Sequence, residues 1–386
     1  MDSKSKKIKR KIASGPGIPS KEGESDELRR IRLEKQYLGD PFISEGSVFC
    51  FPLLDLMYGP IGGNDYKIIA LYVYSKNGAL YGAISGDEDY LFFMDKKKLM
   101  MDLGKVGNKK INENSIKSVN NFVYFSVTDS ENNTIILKHD ADTDHIDHYS
   151  LNYFGPIEET NAVIEGESFI ESAFNNWDKN IYYLSKTGKV FKLNIDKENL
   201  DVIVELEKES SKAFCCDDNG NIFGVLHGGE IFRFNISERK FYKTGKLVPS
   251  QKGREYLAGA RKMIFREGVI YGCTSQDSYL FKYDICRNEI FNFGRPDENY
   301  DLRAFIVEDD GSIFGATSTV NRGLGNLFKY NKNGFKDLGN IVGYRPKNGF
   351  CHEPSVMVLG NDGEIFIGDS DNRSNLYIYF PKYFKE

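Results

Sequence analysis

The chain has 386 residues with 40% hydrophobic and 28% charged residues, 28 Phe, 23 Tyr and a single Trp. This apolar and aromatic content is enough to bury a large core, so it excludes a mostly disordered chain. The mean hydropathy is −0.46 and no run approaches the roughly 18 to 20 apolar residues that span a bilayer, which excludes an integral membrane protein. Length alone would suggest two or three domains.

The first residues, Met1–Lys11, read MDSKSKKIKRK and no apolar segment follows, so we expect no secretory signal. The cysteines have no paired spacing and form no CxxC motif, which favours reduced thiols and a cytoplasmic protein over a disulfide framework or a zinc site. These cysteines are Cys50, Cys215, Cys216, Cys273, Cys286 and Cys351.

The net charge of −5 is unevenly distributed. Residues 1–35 contain eleven Lys/Arg and six Asp/Glu, so this tail carries +5 and the remainder carries −10. An acidic body is a poor nucleic-acid binder, so we expect no nucleic-acid partner. We interpret the tail as a largely disordered arm, in which Ser25–Leu38 has the Ser cap and acidic first turn of one short helix.

An internal repeat organises the rest of the chain. Its anchor is a Gly-x-Ile-Phe/Tyr-Gly phrase, which recurs at Gly78–Gly82, Gly220–Gly224, Gly268–Gly272, Gly311–Gly315 and Gly363–Ile367, with weaker copies at Asn121–Phe125 and Asn180–Leu184. The first and last anchors are 285 residues apart over six intervals, a mean period of 47.5 residues. Each anchor is followed by a phrase such as Tyr279–Asp284 (YLFKYD) and preceded by a short apolar run.

The apolar runs are four to seven residues long, rich in Ile, Val, Phe and Tyr, and separated by Asn-Gly and Asp-Gly turns. Four short antiparallel strands in every repeat of this length are typical of a β-propeller. We therefore predict an all-β fold, a seven-bladed β-propeller of four-stranded antiparallel blades. A large β-sandwich or β-helix explains the strand content but not four strands in each repeat.

The last blade lacks its outermost strand, because only six residues follow Leu376–Phe380. The upstream run Ser47–Phe51 (SVFCF) is available to complete it. We predict that this N-terminal strand closes the ring and removes an exposed edge. The expected domains are then a basic tail at 1–45 and a propeller at 46–386, in a monomer.

These repeats resemble the broad seven-bladed propeller superfamily over residues 46–386. The Gly-His and Trp-Asp pairs of WD repeats are missing, and kelch repeats would require a Trp in each blade. The Gly-x-Ile-Phe/Tyr-Gly phrase is similar to the inner hairpin of streptogramin-lyase-type propellers, in which Ile-Trp-Phe occupies the corresponding place. The departure at Trp leaves the activity that this resemblance implies undecided.

The repeat also assigns residues to faces. With strands a to d numbered outward from the axis, the b–c loops and the d–a connections share one face, and the a–b and c–d turns share the other. The d–a connections are long, as at 247–259 and 339–354, whereas the a–b turns are tight. Long loops on a rigid scaffold usually carry function, so the face of the d–a connections is the candidate site.

Basic and aromatic residues are concentrated on that face. The guanidinium group of arginine binds carboxylates or phosphates through paired N–H donors, and Tyr rings stack on sugars. The pattern predicts a pocket for an anionic small molecule or acidic sugar, unless the arginines pair with Asp297, Asp301 and Glu255 to hold the loops together. The candidate ligand-binding residues are Lys212, Arg254, Arg261, Arg295, Arg303, Arg322, Arg345 and His227.

If the protein is an enzyme, His352 and Glu353 are the best acid/base pair, with Tyr256 or Tyr344 as an auxiliary proton donor. Such a base beside an arginine that neutralises a carboxylate could remove the proton alpha to a uronate, so a lyase is favoured over a hydrolase. The alternative is a non-catalytic propeller that uses the same loops to bind a protein partner. The fold alone does not distinguish the two, because propellers support both.

One motif resembles a metal loop. In the segment 139–148 (HDADTDHIDH), Asp occupies positions one, three and five of a calcium loop, but His145 and Leu151 replace the Gly and Glu that such a loop requires. We interpret it as a polar c–d turn and expect no metal. No Gly-rich phosphate loop precedes a helix and no nucleophile elbow occurs, so we expect no cofactor.

Overall fold

The computed structural model describes residues 43–53, 66–143, 155–206, 213–297, 300–319, 324–343, 349–371 and 374–381. Its strands form seven antiparallel sheets that contact one another in chain order around a ring, mostly through their innermost strands. The chain is therefore a seven-bladed β-propeller, as the period of 47.5 residues predicts.

Each blade is a meander that runs from the axis outward. The strands of blades one to three are β2 (Lys67–Tyr74), β3 (Ala79–Ser85), β4 (Tyr90–Met94) and β5 (Met100–Lys105); β6 (Lys110–Ile111), β7 (Lys117–Val119), β8 (Phe122–Thr128), β9 (Thr134–Asp140) and β10 (Ile157–Ile164); and β11 (Phe169–Asn175), β12 (Asn180–Ser185), β13 (Lys189–Asn194) and β14 (Asn199–Glu205). In blade two, β6 and β7 are two pieces of the innermost strand, both paired with β8.

Blades four to six have the same order. Their strands are β15 (Phe214–Cys216), β16 (Asn221–Val225), β17 (Glu230–Asn235) and β18 (Lys240–Leu247); β19 (Ala260–Arg266), β20 (Val269–Thr274), β21 (Leu280–Asp284) and β22 (Glu289–Gly294); and β23 (Tyr300–Val307), β24 (Ile313–Thr319), β25 (Asn326–Asn331) and β26 (Gly334–Asn340). Short 3-10 turns occur at Ala141–Thr143, His227–Gly229 and Glu255–Leu257.

The seventh blade combines both ends of the propeller. It consists of β27 (Pro354–Leu359), β28 (Ile365–Asp369), β29 (Asn375–Phe380) and, outermost, β1 (Ser47–Pro52). Strand β1 is antiparallel to β29, with Ser47 opposite Phe380 and Pro52 opposite Asn375. This pairing confirms the predicted ring closure, and it uses the edge of β29 that would otherwise be unpaired.

The anchor phrases form the a–b turns and the start of each b strand. The leading glycines have left-handed φ values, from 73° at Gly78 to 84° at Gly363. In blade three the left-handed residue is Lys179 (φ 55°), and Asn180 already pairs with Asn175. The repeat in this blade therefore begins one residue earlier than the sequence comparison placed it.

The core lies between adjacent blades. One buried cluster joins Phe223 of blade four to Ile270 and Phe281 of blade five, and the other clusters likewise combine side chains of neighbouring blades. Cys215 and Cys216 are buried in β15, as their alternation on an inner strand predicts. Burial of these aromatic faces supplies most of the driving force for stacking the blades.

Two predictions lie outside the described residues: the disordered tail and the short helix at Ser25–Leu38. The domain boundary at residue 45 therefore stays a prediction. Within the described part of the chain, no helix is long and apolar enough to cross a membrane.

Candidate functional site

A pocket of about 910 Å³ opens at the axis on one face of the ring, which we call the top face. Its walls come from the b–c loops, the d–a connections and the first residues of the innermost strands. Examples are Asp129 between β8 and β9, Lys186 between β12 and β13, and Ser370 after β28. This is the face that the long d–a connections indicated.

The structure brings four of the sequence-predicted residues to this pocket: His227, Tyr256, Arg261 and Arg303. They come from the b–c loop of blade four, the connection that follows β18, and strands β19 and β23. Four others lie outside the described residues, namely Lys212, Arg322, Tyr344 and Arg345.

Arg261 and Arg303 occupy equivalent positions in neighbouring blades. Each is the extra residue of a β-bulge near the start of an innermost strand, between Ala260 and Lys262 in β19 and between Leu302 and Ala304 in β23. A bulge re-aims the side chain of its extra residue, and here both guanidinium groups are directed to the channel mouth. The same bulge recurs in β2, β11 and β27.

Both guanidinium groups are held by neighbouring oxygens. Arg261 Nη2 donates to the Ser275 carbonyl oxygen (2.9 Å), and Arg303 Nε donates to Ser318 Oγ (3.0 Å). Arg303 Nη2 also lies 3.4 Å from Asp301 Oδ2, so one of the loop-tying ion pairs anticipated from the sequence is present. Burial, together with the nearby charge of Arg303, lowers the pKa of Arg261. The two like charges repel each other, and an anion bound beside both would relieve this repulsion.

Arg254 and Arg295 are not among the residues that line the pocket. Arg254 Nη1 lies 3.0 Å from Oδ1 of the buried Asp277, so its charge holds the connection between β18 and β19. Arg295 is half-buried just after β22. Their assignment as ligand-binding residues stays a prediction, and Arg254 has a structural partner.

His352 and Glu353 are half-buried immediately before β27. Neither lines the pocket, although the next two residues, Pro354 and Ser355, do. The Glu353 amide donates to Asp369 Oδ1 (3.1 Å), and its carbonyl oxygen accepts from the Ser370 amide (2.8 Å), so the pair belongs to a hydrogen-bonded corner of blade seven. The catalytic assignment of His352, Glu353, Tyr256 and Tyr344 remains a prediction.

The pocket also contains charged residues that sequence reasoning missed. Glu171 of β11 and Lys262 of β19 line it, and each directly follows the extra residue of a bulge. Lys262 Nζ donates to the Met357 carbonyl oxygen (3.3 Å), which belongs to blade seven. Counting from the anchors does not align them, because Lys262 lies six residues before Gly268 and Glu171 nine before Asn180, and only the register of the bulges shows that they are equivalent.

Burial shifts the pKa values of Glu171 and of the two lysines that interact with it, Lys117 and Lys262. It raises the pKa of Glu171 to about 7, although Lys117 of β7 and Lys262 act in the opposite direction. Burial likewise lowers the pKa of Lys117 and of Lys262, and Glu171 partly counteracts this. The pocket therefore has a carboxyl group that titrates near neutral pH and interacts electrostatically with Lys117 and Lys262.

The charge of the pocket is positive. Five cationic side chains, those of Lys110, Lys186, Arg261, Lys262 and Arg303, face three carboxylates, those of Glu113, Asp129 and Glu171. Two of the cations already have carboxylate partners, because Lys110 Nζ lies 3.1 Å from Asp89 Oδ1 and Arg303 Nη2 lies 3.4 Å from Asp301 Oδ2. In a propeller body that carries −10 outside its tail, a cationic mouth is suited to receive an anionic group.

The segment that resembles a metal loop begins within a strand. His139 and Asp140 belong to β9, Asp142 lies in a 3-10 turn, and the remainder from 144 lies outside the described residues. Its interpretation as a polar c–d turn, and the absence of a metal, stay predictions.

No protein-family model matches the chain, and no curated protein matches it. Solved structures do. A chain in the crystal structure of the Mitotic Checkpoint Complex is 11% identical with a TM-score of 0.57, covering 96% of this chain and 98% of that one. The WD40 β-propeller domain of Doa1 is 9% identical with a TM-score of 0.51, covering 84% and 96%.

A third similar structure is the extracellular domain of a putative one-component system from B. thetaiotaomicron. It is 11% identical with a TM-score of 0.58, and the match covers 89% of this chain but 40% of that one. At these identities the similarity shows the fold alone. The WD40 likeness concerns the backbone, since the Trp-Asp and Gly-His pairs are absent from the sequence.

Proposed function

We propose that this protein is a non-catalytic interaction propeller whose top-face pocket receives carboxylate groups from an acidic segment of a protein partner. The observation that carries the proposal is the pair of bulge arginines, Arg261 and Arg303, at one pocket. Guanidinium forks match carboxylates in geometry and keep their charge at any physiological pH.

Two further observations support a protein partner. Arg261 and Arg303 are oriented by Ser275 and Ser318 before any ligand arrives, so binding loses less side-chain entropy. One of the similar structures is that of a protein assembly, the Mitotic Checkpoint Complex. Propellers bind partners through the loops of one face, and here the basic group lies among such loops.

The proposal is tested with a fluorescein-labelled peptide of six glutamates, titrated with the full chain and followed by fluorescence polarisation. Arg261→Ala and Arg303→Ala should each weaken binding by about tenfold, and added salt should weaken it further. Arg287→Ala is the matched control, because it removes the same charge from a c–d turn on the opposite face, where the side chain is 71% exposed. Equal loss in all three variants would indicate unspecific attraction and overturn the proposal.

A small anionic ligand is a second candidate, favoured by the pocket volume of about 910 Å³. This value lies within the range of roughly 300 to 1,000 Å³ typical of small-molecule sites. Galacturonate, as an acidic sugar, should then raise the melting temperature of the full chain but not that of Arg261→Ala. If catalysis accompanies binding, His227 and Tyr256 are the proton-transfer groups that line the pocket, and β-elimination of uronate oligomers would be followed by the ultraviolet absorbance of the unsaturated product.

A further inference from the structure

The end of β18 and the connection that leads from it to β19 expose large apolar side chains beside the pocket. Leu247 is 59% exposed, Tyr256 63% and Leu257 38%. Leu247 and Leu257 each precede a buried residue, because Val248 and Ala258 pack into the core between blades four and five. We call the surface formed by Leu247, Tyr256 and Leu257 the apolar shelf.

The residues of the shelf are brought together by the backbone. The Val248 amide donates to the Gly229 carbonyl oxygen (2.9 Å), which ties the end of β18 to the b–c loop of blade four. A Cβ on Gly229 would lie 2.7 Å from Ala258 Cβ and 3.3 Å from Val248 Cγ2. The two ends of the connection therefore meet at Gly229, and Leu247 and Leu257 emerge on either side of this contact.

The connection is also held in place by the buried side chain of Asp277, which lies between β20 and β21. The carboxylate of Asp277, which is 5% exposed, accepts from the Gln251 amide (2.9 Å) and pairs with Arg254 (3.0 Å). The Gly253 amide donates to Glu255 Oε1 (3.0 Å), and a 3-10 turn follows. An exposed apolar surface that is already ordered loses little conformational entropy on binding.

The shelf is continuous with the cationic pocket, because Tyr256 and Leu257 line the pocket as well. None of the other exposed apolar side chains of the described residues lines the pocket. Val163, Val202, Phe241 and Phe291 are within outermost strands, Leu99 and Trp177 are in turns of the opposite face, and Phe350 lies in the connection between β26 and β27. Single exposed apolar residues are ordinary, whereas a group beside a charged pocket marks a binding surface.

We infer that the apolar shelf is the second half of the partner site, and that the acidic segment carries a large apolar side chain next to its carboxylates. This inference rests on the proposed function and specifies the partner: an acidic segment with flanking leucine or a similar residue. The carboxylates meet Arg261 and Arg303, and the apolar side chain covers Leu247. Charge complementarity fixes the position of the segment, and apolar burial adds affinity.

The test compares two labelled peptides of equal length and charge. One has six glutamates with a leucine at each end, and the other has the same glutamates with a serine at each end. The leucine peptide should bind the full chain about five- to tenfold more tightly, the effect expected for partial burial of one or two leucines. Leu247→Ser should remove this gain and leave binding of the serine peptide unchanged, because Leu247 does not line the pocket.

Val202→Ser is the matched control, since Val202 is 51% exposed on β14 at the rim, and it should preserve the gain. If both peptides bind equally and Arg261→Ala weakens both, the inference that the apolar shelf binds the partner is overturned, while the proposed function stands. If Leu247→Ser leaves the gain intact, the shelf is likewise overturned. If neither peptide binds, both proposals are overturned.

Discussion

The indole of Trp177 lies against Gly220 of the next blade: a Cβ placed on Gly220 would be 2.9 Å from Trp177 Cδ2 and Cε3. The same turns are joined by a second contact, in which Asn176 Nδ2 donates to Asp218 Oδ1 (2.9 Å). The chain's single tryptophan therefore helps to connect blades three and four on the face opposite the pocket.

Gly220→Ala should destabilise the protein more than Gly268→Ala. Both glycines are left-handed, with φ of 76° and 78°, so alanine strains the backbone at either site by about 1 kcal/mol. Only Gly220 faces a ring, whereas no atom lies within 4 Å of a Cβ at Gly268, so the clash should add about 1 to 2 kcal/mol at Gly220. Urea unfolding followed by tryptophan emission measures both, and equal losses would contradict the role of Trp177.

The second glycine of the anchor accommodates a phenylalanine ring from the next strand. Gly315 is paired with Phe328, and a Cβ there would be 2.3 Å from Phe328 Cζ. Gly315→Ala should therefore cost about 2 to 3 kcal/mol of unfolding free energy.

A matched substitution should rescue that loss. Blade two has Phe125 at the equivalent position, and its partner there is Leu137 rather than phenylalanine. We expect Phe328→Leu to cost about 1 kcal/mol alone, and the double variant to be more stable than Gly315→Ala by about 1 kcal/mol. Additive losses in denaturant unfolding would show that the close approach of the two residues is not what constrains the glycine.

Ring closure predicts different effects of two truncations. Removal of residues 1–60 deletes β1 and exposes the edge of β29, so cooperative unfolding should be lost. Removal of residues 1–35 leaves β1 intact and should preserve a single sharp transition in urea. A cooperative transition after the longer deletion would mean that blade seven is stable with three strands.

Glu171 should make stability depend on pH. Its ordinary pKa of 4.5 is raised to about 7 in the folded protein, so the folded state keeps a proton that the unfolded chain loses. Stability should therefore fall by about 1 to 3 kcal/mol as the pH rises from 4.5 through 7. Chemical unfolding at pH 5 and at pH 8 measures this difference.

Glu171→Gln cannot ionise and should flatten most of that slope. Some slope should remain, because burial also raises the pKa of Asp369, to about 6, and this acts with the same sign. Asp369→Asn is the comparison variant, which should remove only the remaining part. An unchanged slope in Glu171→Gln would mean that Glu171 is ionised throughout this range in the folded protein.

Much of the site was accessible from the repeat. The anchors indicated which loops share a face, and they aligned Arg261 with Arg303 at positions that prove to be bulges. Glu171 and Lys262 were not predicted as pocket residues, because a single charged residue in a strand carries no periodic signal until the register of the bulges is known. The role of Arg254 also needed coordinates, because its partner Asp277 belongs to a different loop.

The number of blades, the strand order and the closing strand were predictable from the amino-acid order alone, because each follows from local hydrogen-bonded pairing that repeats along the chain. Which charges share the pocket, and how they titrate, depends instead on the three-dimensional arrangement of the blades. Glu171, Lys117 and Lys262 are distant in sequence and come from three blades, so their mutual effect depends on where the ring places them. Burial and electrostatic interaction depend on that placement, and residue order alone does not contain it.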